Sequence, residues 1–135
     1  MLLDTNKRIV ADFFCHFERR DVDAVLAMMT EDATWWLNGR SDLYADARSR
    51  TKAEMGDAWR SLFAILDGGL VMTILSLTSE GDRVVAEMEA YATTVSGSVY
   101  QNGYLMLVTV QDGRITAVRE YTDLLRASEA FHAHV

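Results

Sequence analysis

The sequence predicts an α+β domain in which a curved antiparallel sheet carries about three helices on one face. Two observations predict it. Apolar residues recur at three and four positions in the first half of the chain, then give way to strand-like alternation from Leu70 onward. The breaks in the second half are short polar links, Glu80-Gly81-Asp82, Ser96-Gly97-Ser98 and Gln111-Asp112-Gly113, of the kind that close hairpins. Helices first and hairpins after is the order of an α+β architecture. The length, 135 residues, suits one domain over 1–135.

Each element has its own signal. Over 5–19, Ile9, Val10, Phe13, Phe14 and Phe17 form one apolar stripe of a helix. Asp21 is the N-cap of a short second helix whose Val25, Leu26 and Met29 turn inward. Ala33-Thr34-Trp35-Trp36-Leu37 is rich in β-formers and stops at Asn38-Gly39, and a polar loop runs from Arg40 to Arg50. Thr51 and Glu54 fit a capping box, opening a helix that buries Met55, Trp59, Leu62, Phe63 and Leu66 and ends at Asp67-Gly68-Gly69. Strands are expected near 70–79, 83–95, 99–111 and 114–123, and Asp123 caps a turn into a last helix. The chain has no proline, so Gly, Asp, Asn and Ser must end its elements.

Composition excludes several function classes. Half the residues are apolar and the formal charge is −7, a poor match for nucleic acid or an anionic membrane. The one basic cluster, Arg40, Arg48, Arg50, Lys52 and Arg60, is interrupted by acids and is expected to be a solvated loop. A single cysteine, Cys15, allows no internal disulfide. No signal peptide or membrane span is evident, so a cytoplasmic location is expected. Cys15-His16 lacks a partner at metal or nucleophile spacing, and His132 and His134 are too few for a metal site, so no metal is assigned. No P-loop, GxGxxG or GxSxG occurs, and no cofactor is expected.

Two patterns concern the sheet. In Val84-Val85-Ala86-Glu87-Met88-Glu89-Ala90-Tyr91, the side chains of Glu87, Glu89 and Tyr91 share one face, which either looks at water or lines a cavity. Leu105, Met106, Leu107 and Val108 are apolar at both parities. The helices cover one face only, so the other is expected to meet a second copy in a homodimer.

The element order resembles the nuclear transport factor 2 fold. Residues 20–34, from Arg20-Asp21-Val22-Asp23 through Met28-Met29-Thr30-Glu31-Asp32, are similar to the second-helix signature of its ketosteroid-isomerase-like and SnoaL-like branch. Tyr100-Gln101-Asn102-Gly103-Tyr104 is SnoaL-like as well, and residues 113–124 resemble the last strand of limonene epoxide hydrolase. The resemblance implies a cone with a deep apolar pocket. The positions that match the acid–base groups of ketosteroid isomerase hold Phe13, Leu37 and Met106, none of which moves a proton. Of the epoxide hydrolase's carboxylate–arginine–carboxylate trio, the carboxylates match Glu89 and Glu120 and the arginine matches Glu87, while Trp35 and Leu37 replace its water-holding pair.

On that basis Glu89 and Glu120 are the expected catalytic pair. Two carboxylates in a dry cavity raise at least one pKa and supply an acid and a base. Glu87 would tune their charge. Phe13, Trp35, Leu37, Trp59, Phe63, Tyr91, Tyr104 and Met106 would complete the pocket, suiting a small apolar or aromatic ligand. The implied activities are isomerisation, cyclisation, hydration or hydrolysis without a cofactor. A non-catalytic ligand-binding or dimeric accessory module of the same fold is the alternative, and an epoxide hydrolase a third reading. Solvated glutamates at 87 and 89 remain the alternative to the pair.

Overall fold

Asp4 starts the first helix: its carboxylate accepts from the Lys7 backbone N–H at 2.8 Å. The structure is a computed structural model and describes residues 4–131. Helix α1 (Thr5–Glu18) buries Val10, Phe13 and Phe14. Asp21 caps α2 (Val22–Ala27) by accepting from Ala24 N–H. Strand β1 (Met29–Leu37) and the three-residue β2 (Ser49–Thr51) precede α3 (Lys52–Ala64). Strands β3 (Val71–Glu80), β4 (Arg83–Thr93), β5 (Val99–Gln111) and β6 (Arg114–Thr122) follow, and α4 (Leu124–Phe131) ends the described chain.

The six strands form one sheet in the order β2-β1-β6-β5-β4-β3. The expected hairpins are all present. At Asp112-Gly113 both φ angles are positive (50° and 78°), the geometry a tight hairpin needs and Asp-Gly tolerates. One pairing departs from the expected antiparallel sheet: β1 runs parallel to β6, with Trp35 beside Val118 and Leu37 beside Glu120.

Three boundaries also differ from the sequence reading. β1 begins at Met29 rather than Ala33, because Thr30, Glu31 and Asp32 are polar and hide the alternation. β2 was expected to be loop, since Ser49-Arg50-Thr51 carries no β signal. Its ladder partners on β1, Trp36, Trp35 and Thr34, hold it. α3 ends at Ala64, short of Gly68-Gly69, and Leu66 instead bridges to Thr94.

The sheet's inner face carries Val84, Ala86, Met88, Ala90 and Ala92 from β4 and Met106, Val108 and Val110 from β5, all buried. α1 and α3 cover part of that face through Phe13, Phe14, Met55 and Trp59. Alternation then forces Glu87, Glu89 and Tyr91 outward, and all three are exposed. Cross-strand partners agree. Glu120 stands opposite Met106, which stands opposite Ala86, whereas Glu87 stands opposite the outward Leu105.

Candidate functional site

A cavity of about 360 Å³ opens between the inner sheet face, α3 and α4. Small residues make the space: Ala58 on α3, Ala90 on β4 and Ala127 on α4 line it. Trp35, Trp59, Phe14, Phe17 and Phe131 supply aromatic walls. The two tryptophan rings meet edge to face at 5.1 Å between centroids.

Glu120 is the acid group at the inner end. Its parity on β6 points it to the cavity. The indole Nε1 of Trp35 donates to Glu120 Oε1 at 2.7 Å, leaving the second carboxyl oxygen for other partners. Burial raises the Glu120 pKa, while the indole bond and the charge of Arg50 partly oppose the rise.

Three phenols face the same space. Burial first, then the charge of Asp46, pushes Tyr44 up to about 12. Burial raises Tyr100, with hydrogen bonds from its neighbours pulling the other way. Burial holds Tyr104 well above its ordinary value, helped by the nearby Tyr100 and Glu120. All three therefore remain neutral donors. The Tyr100 and Tyr104 hydroxyls hydrogen-bond each other. Behind them, Asn102 Nδ2 donates to the Tyr100 hydroxyl and to the Asp123 carbonyl, each at 2.9 Å.

Arg50 and Asp46 complete the polar lining. Arg50 is only 8 % exposed, which corrects the expectation that the basic cluster is a solvated loop. Ladder pairing with Trp35 explains it: directly opposed residues share a face, and Trp35 faces inward.

The structure gathers Trp35, Leu37, Trp59, Tyr104, Met106 and Glu120 around the cavity. Phe13 lies outside the lining, fully buried behind Trp35 with its ring stacked at 6.2 Å. Phe63 packs on Phe17 beside the cavity rather than lining it. Glu87, Glu89 and Tyr91 lie on the opposite sheet face, so Glu89 and Glu120 do not form a pair. The buried parity of β4 is that of Val84, Ala86 and Met88, so the pocket-facing positions implied by the resemblance do not fall on Glu87 and Glu89.

Tyr44, Asp46, Arg50, Tyr100, Asn102 and Thr122 are site or supporting residues that sequence reasoning missed. The spacing of Tyr100, Asn102 and Tyr104 at every second residue carried a usable signal, since it sets all three on one face. Arg50 carried none without knowledge of β2. Among the described residues no three His, Cys, Asp or Glu side chains gather to hold a metal, and His132 and His134 lie outside those residues. No helix among them is long and apolar enough to cross a membrane.

Comparison with known proteins matches residues 10–118 to the family model of the SnoaL-like domain. No curated protein matches. Among solved structures, TerC co-crystallised with polyporic acid is 19 % identical, with TM-score 0.80 over 96 % of this chain and 99 % of that one. PrhC from Penicillium brasilianum is 17 % identical, with TM-score 0.81 over 96 % and 89 %. An LEH-like epoxide hydrolase from M. tuberculosis is 22 % identical, with TM-score 0.75 over 96 % and 90 %. At such identities the likeness establishes the fold.

Proposed function

This chain belongs to the SnoaL-like domain family, and we propose that it is a cofactor-free acid–base enzyme acting on a small, largely apolar molecule through Glu120. One observation carries the reading: the Glu120 carboxyl lies at the inner end of an aromatic cavity, fixed through one oxygen and faced by neutral phenols. The free oxygen of Glu120 can take a proton from a carbon next to a carbonyl and return it elsewhere, as isomerisation and cyclisation require. Tyr104 or Tyr44 would donate to the oxygen on which charge develops. Asn102 orients the phenol pair, because its donation to Tyr100 favours a Tyr100 proton aimed at Tyr104. One carboxylate serves as both base and acid, so the second, Glu89, is not needed.

The test is deuterium exchange at the α-carbon of 2-tetralone in D2O, followed by proton NMR. The wild type should accelerate exchange, and Glu120→Gln should lose about 10²-fold of that acceleration. Equal acceleration by both proteins would remove Glu120 from the chemistry. No exchange, together with thermal stabilisation by the ketone, would favour the non-catalytic binding module.

A second reading rests on one contact. Arg50 Nη1 lies 3.8 Å from Asp46 Oδ1, and the Arg50 charge acts on Glu120. A carboxylate–arginine–carboxylate order is thus rebuilt with Asp46 in place of Glu89. It would suit epoxide hydration, and conversion of styrene oxide to its diol by the wild type but not by Asp46→Asn would support it. Two further parts of the proposal are one domain over 1–135 in the cytoplasm and a homodimer through the outer sheet face, where Leu105 and Tyr121 are exposed.

A further inference from the structure

Arg50 is a buried cation with one of its donors unanswered. It occupies the middle of β2 across the ladder from Trp35, so its side chain enters the cavity rather than solvent. A guanidinium carries five N–H donors and keeps its charge at any pH a protein survives. Here Nε is buried with no hydrogen-bond partner. Nη1 approaches Asp46 Oδ1 at 3.8 Å, too far for a hydrogen bond, and the Asp46 side chain is half exposed, so water answers much of its charge. Glu120, the other carboxyl of the cavity, is committed on one oxygen to Trp35. A buried, under-satisfied charge is strongly disfavoured unless something supplies the missing partner.

We propose that Arg50 is the anchor for an anionic group on the ligand, so that the cavity takes a small molecule with an apolar ring body and one carboxylate. The inference rests on the reading of the cavity as a small-molecule pocket. Arg50 lines the cavity, and a guanidinium offers paired donors that match the two oxygens of a carboxylate. Trp35 and Trp59 flank the ring body. Binding at β2 then extends the molecule along the inner sheet face towards Glu120 and Tyr104. A neutral ligand would leave the charge of the guanidinium unanswered, so the site discriminates by charge as well as by shape.

The test compares 2-naphthoate with 2-naphthamide, which share shape and apolar area and differ in charge, by calorimetry at neutral pH. The wild type should bind the acid at least about tenfold more tightly than the amide. Arg50→Met should abolish that preference and keep the amide affinity, and Arg50→Lys, which retains charge without the fork, should keep part of it. Equal affinities for acid and amide in the wild type would overturn the anion anchor and leave the pocket standing. An unchanged preference in Arg50→Met would overturn it as well. Binding of neither compound would overturn the pocket reading, and the anchor with it.

Discussion

Burial raises the pKa of the Glu120 carboxyl, and the same burial should appear as a pH-dependent loss of stability. Its folded pKa is raised, so the folded state binds the proton more tightly than the unfolded chain does. The group's contribution is therefore most favourable below the unfolded carboxylate value of about 4.3 and is lost as pH rises through the folded value. Glu120→Gln removes that slope. Urea midpoints of wild type and variant should diverge with rising pH, the variant gaining relative to wild type. Parallel midpoints across that range would mean a carboxyl in water. Trp35 acts in the opposite sense, since its indole N–H stabilises the charged carboxylate. Trp35→Phe should therefore raise the Glu120 pKa further, as read by carbon NMR on labelled glutamate, and an unchanged or lower value would show that the indole bond does not act on the titration.

At the scale of elements, the site hangs on the junction of β2 and α3. Arg50 precedes Thr51, which ends β2 and caps α3, and two turns later α3 delivers Trp59 to the cavity. The cap is reciprocal: Thr51 Oγ1 accepts from Glu54 N–H and the Glu54 carboxylate accepts from Thr51 N–H, both at 3.2 Å. Thr51→Ala should cost about 1 kcal/mol in urea unfolding while Thr51→Ser stays near wild type. Equal losses in the two variants would assign the effect to packing of the threonine methyl. This junction also shows how far the sequence could be read. The capping box is local chemistry and is legible in Thr51 and Glu54. β2 is held by its partner strand alone, so Arg50 passed for a loop residue and its place in the cavity was invisible. β4 failed differently: its alternation is clear, but Glu87 and Glu89 on one parity and alanines on the other leave open which face is inside. The buried Val84 and Met88 mark the inner parity, and the alanines between and beyond them are what open the cavity. Tyr104, Trp35 and Met106 were readable because large apolar or aromatic side chains on the inner parity mark both core and pocket wall.

At the scale of the whole molecule, the two faces of the sheet have separate tasks. The inner face holds the core and the cavity. On the outer face Leu105 is 47 % exposed and stands beside Tyr121 on the ladder, whose ring packs on Trp36 under the guanidinium of Arg119. An apolar and aromatic patch in the middle of a sheet is a candidate for self-association, and a stable interface needs about 800 Å² from each partner. Glu87, opposite Leu105, limits how such a dimer can pack, because its carboxylate must reach the rim or meet a cation. Leu105→Glu would set two carboxylates side by side at the centre and should convert the proposed dimer to a monomer, measured by sedimentation velocity at micromolar concentration. The side chain at 105 points away from the cavity, so naphthoate binding should survive in that monomer. Wild-type sedimentation as a monomer would remove the dimer. Loss of naphthoate binding on dissociation would show instead that the second copy supports the pocket through the sheet.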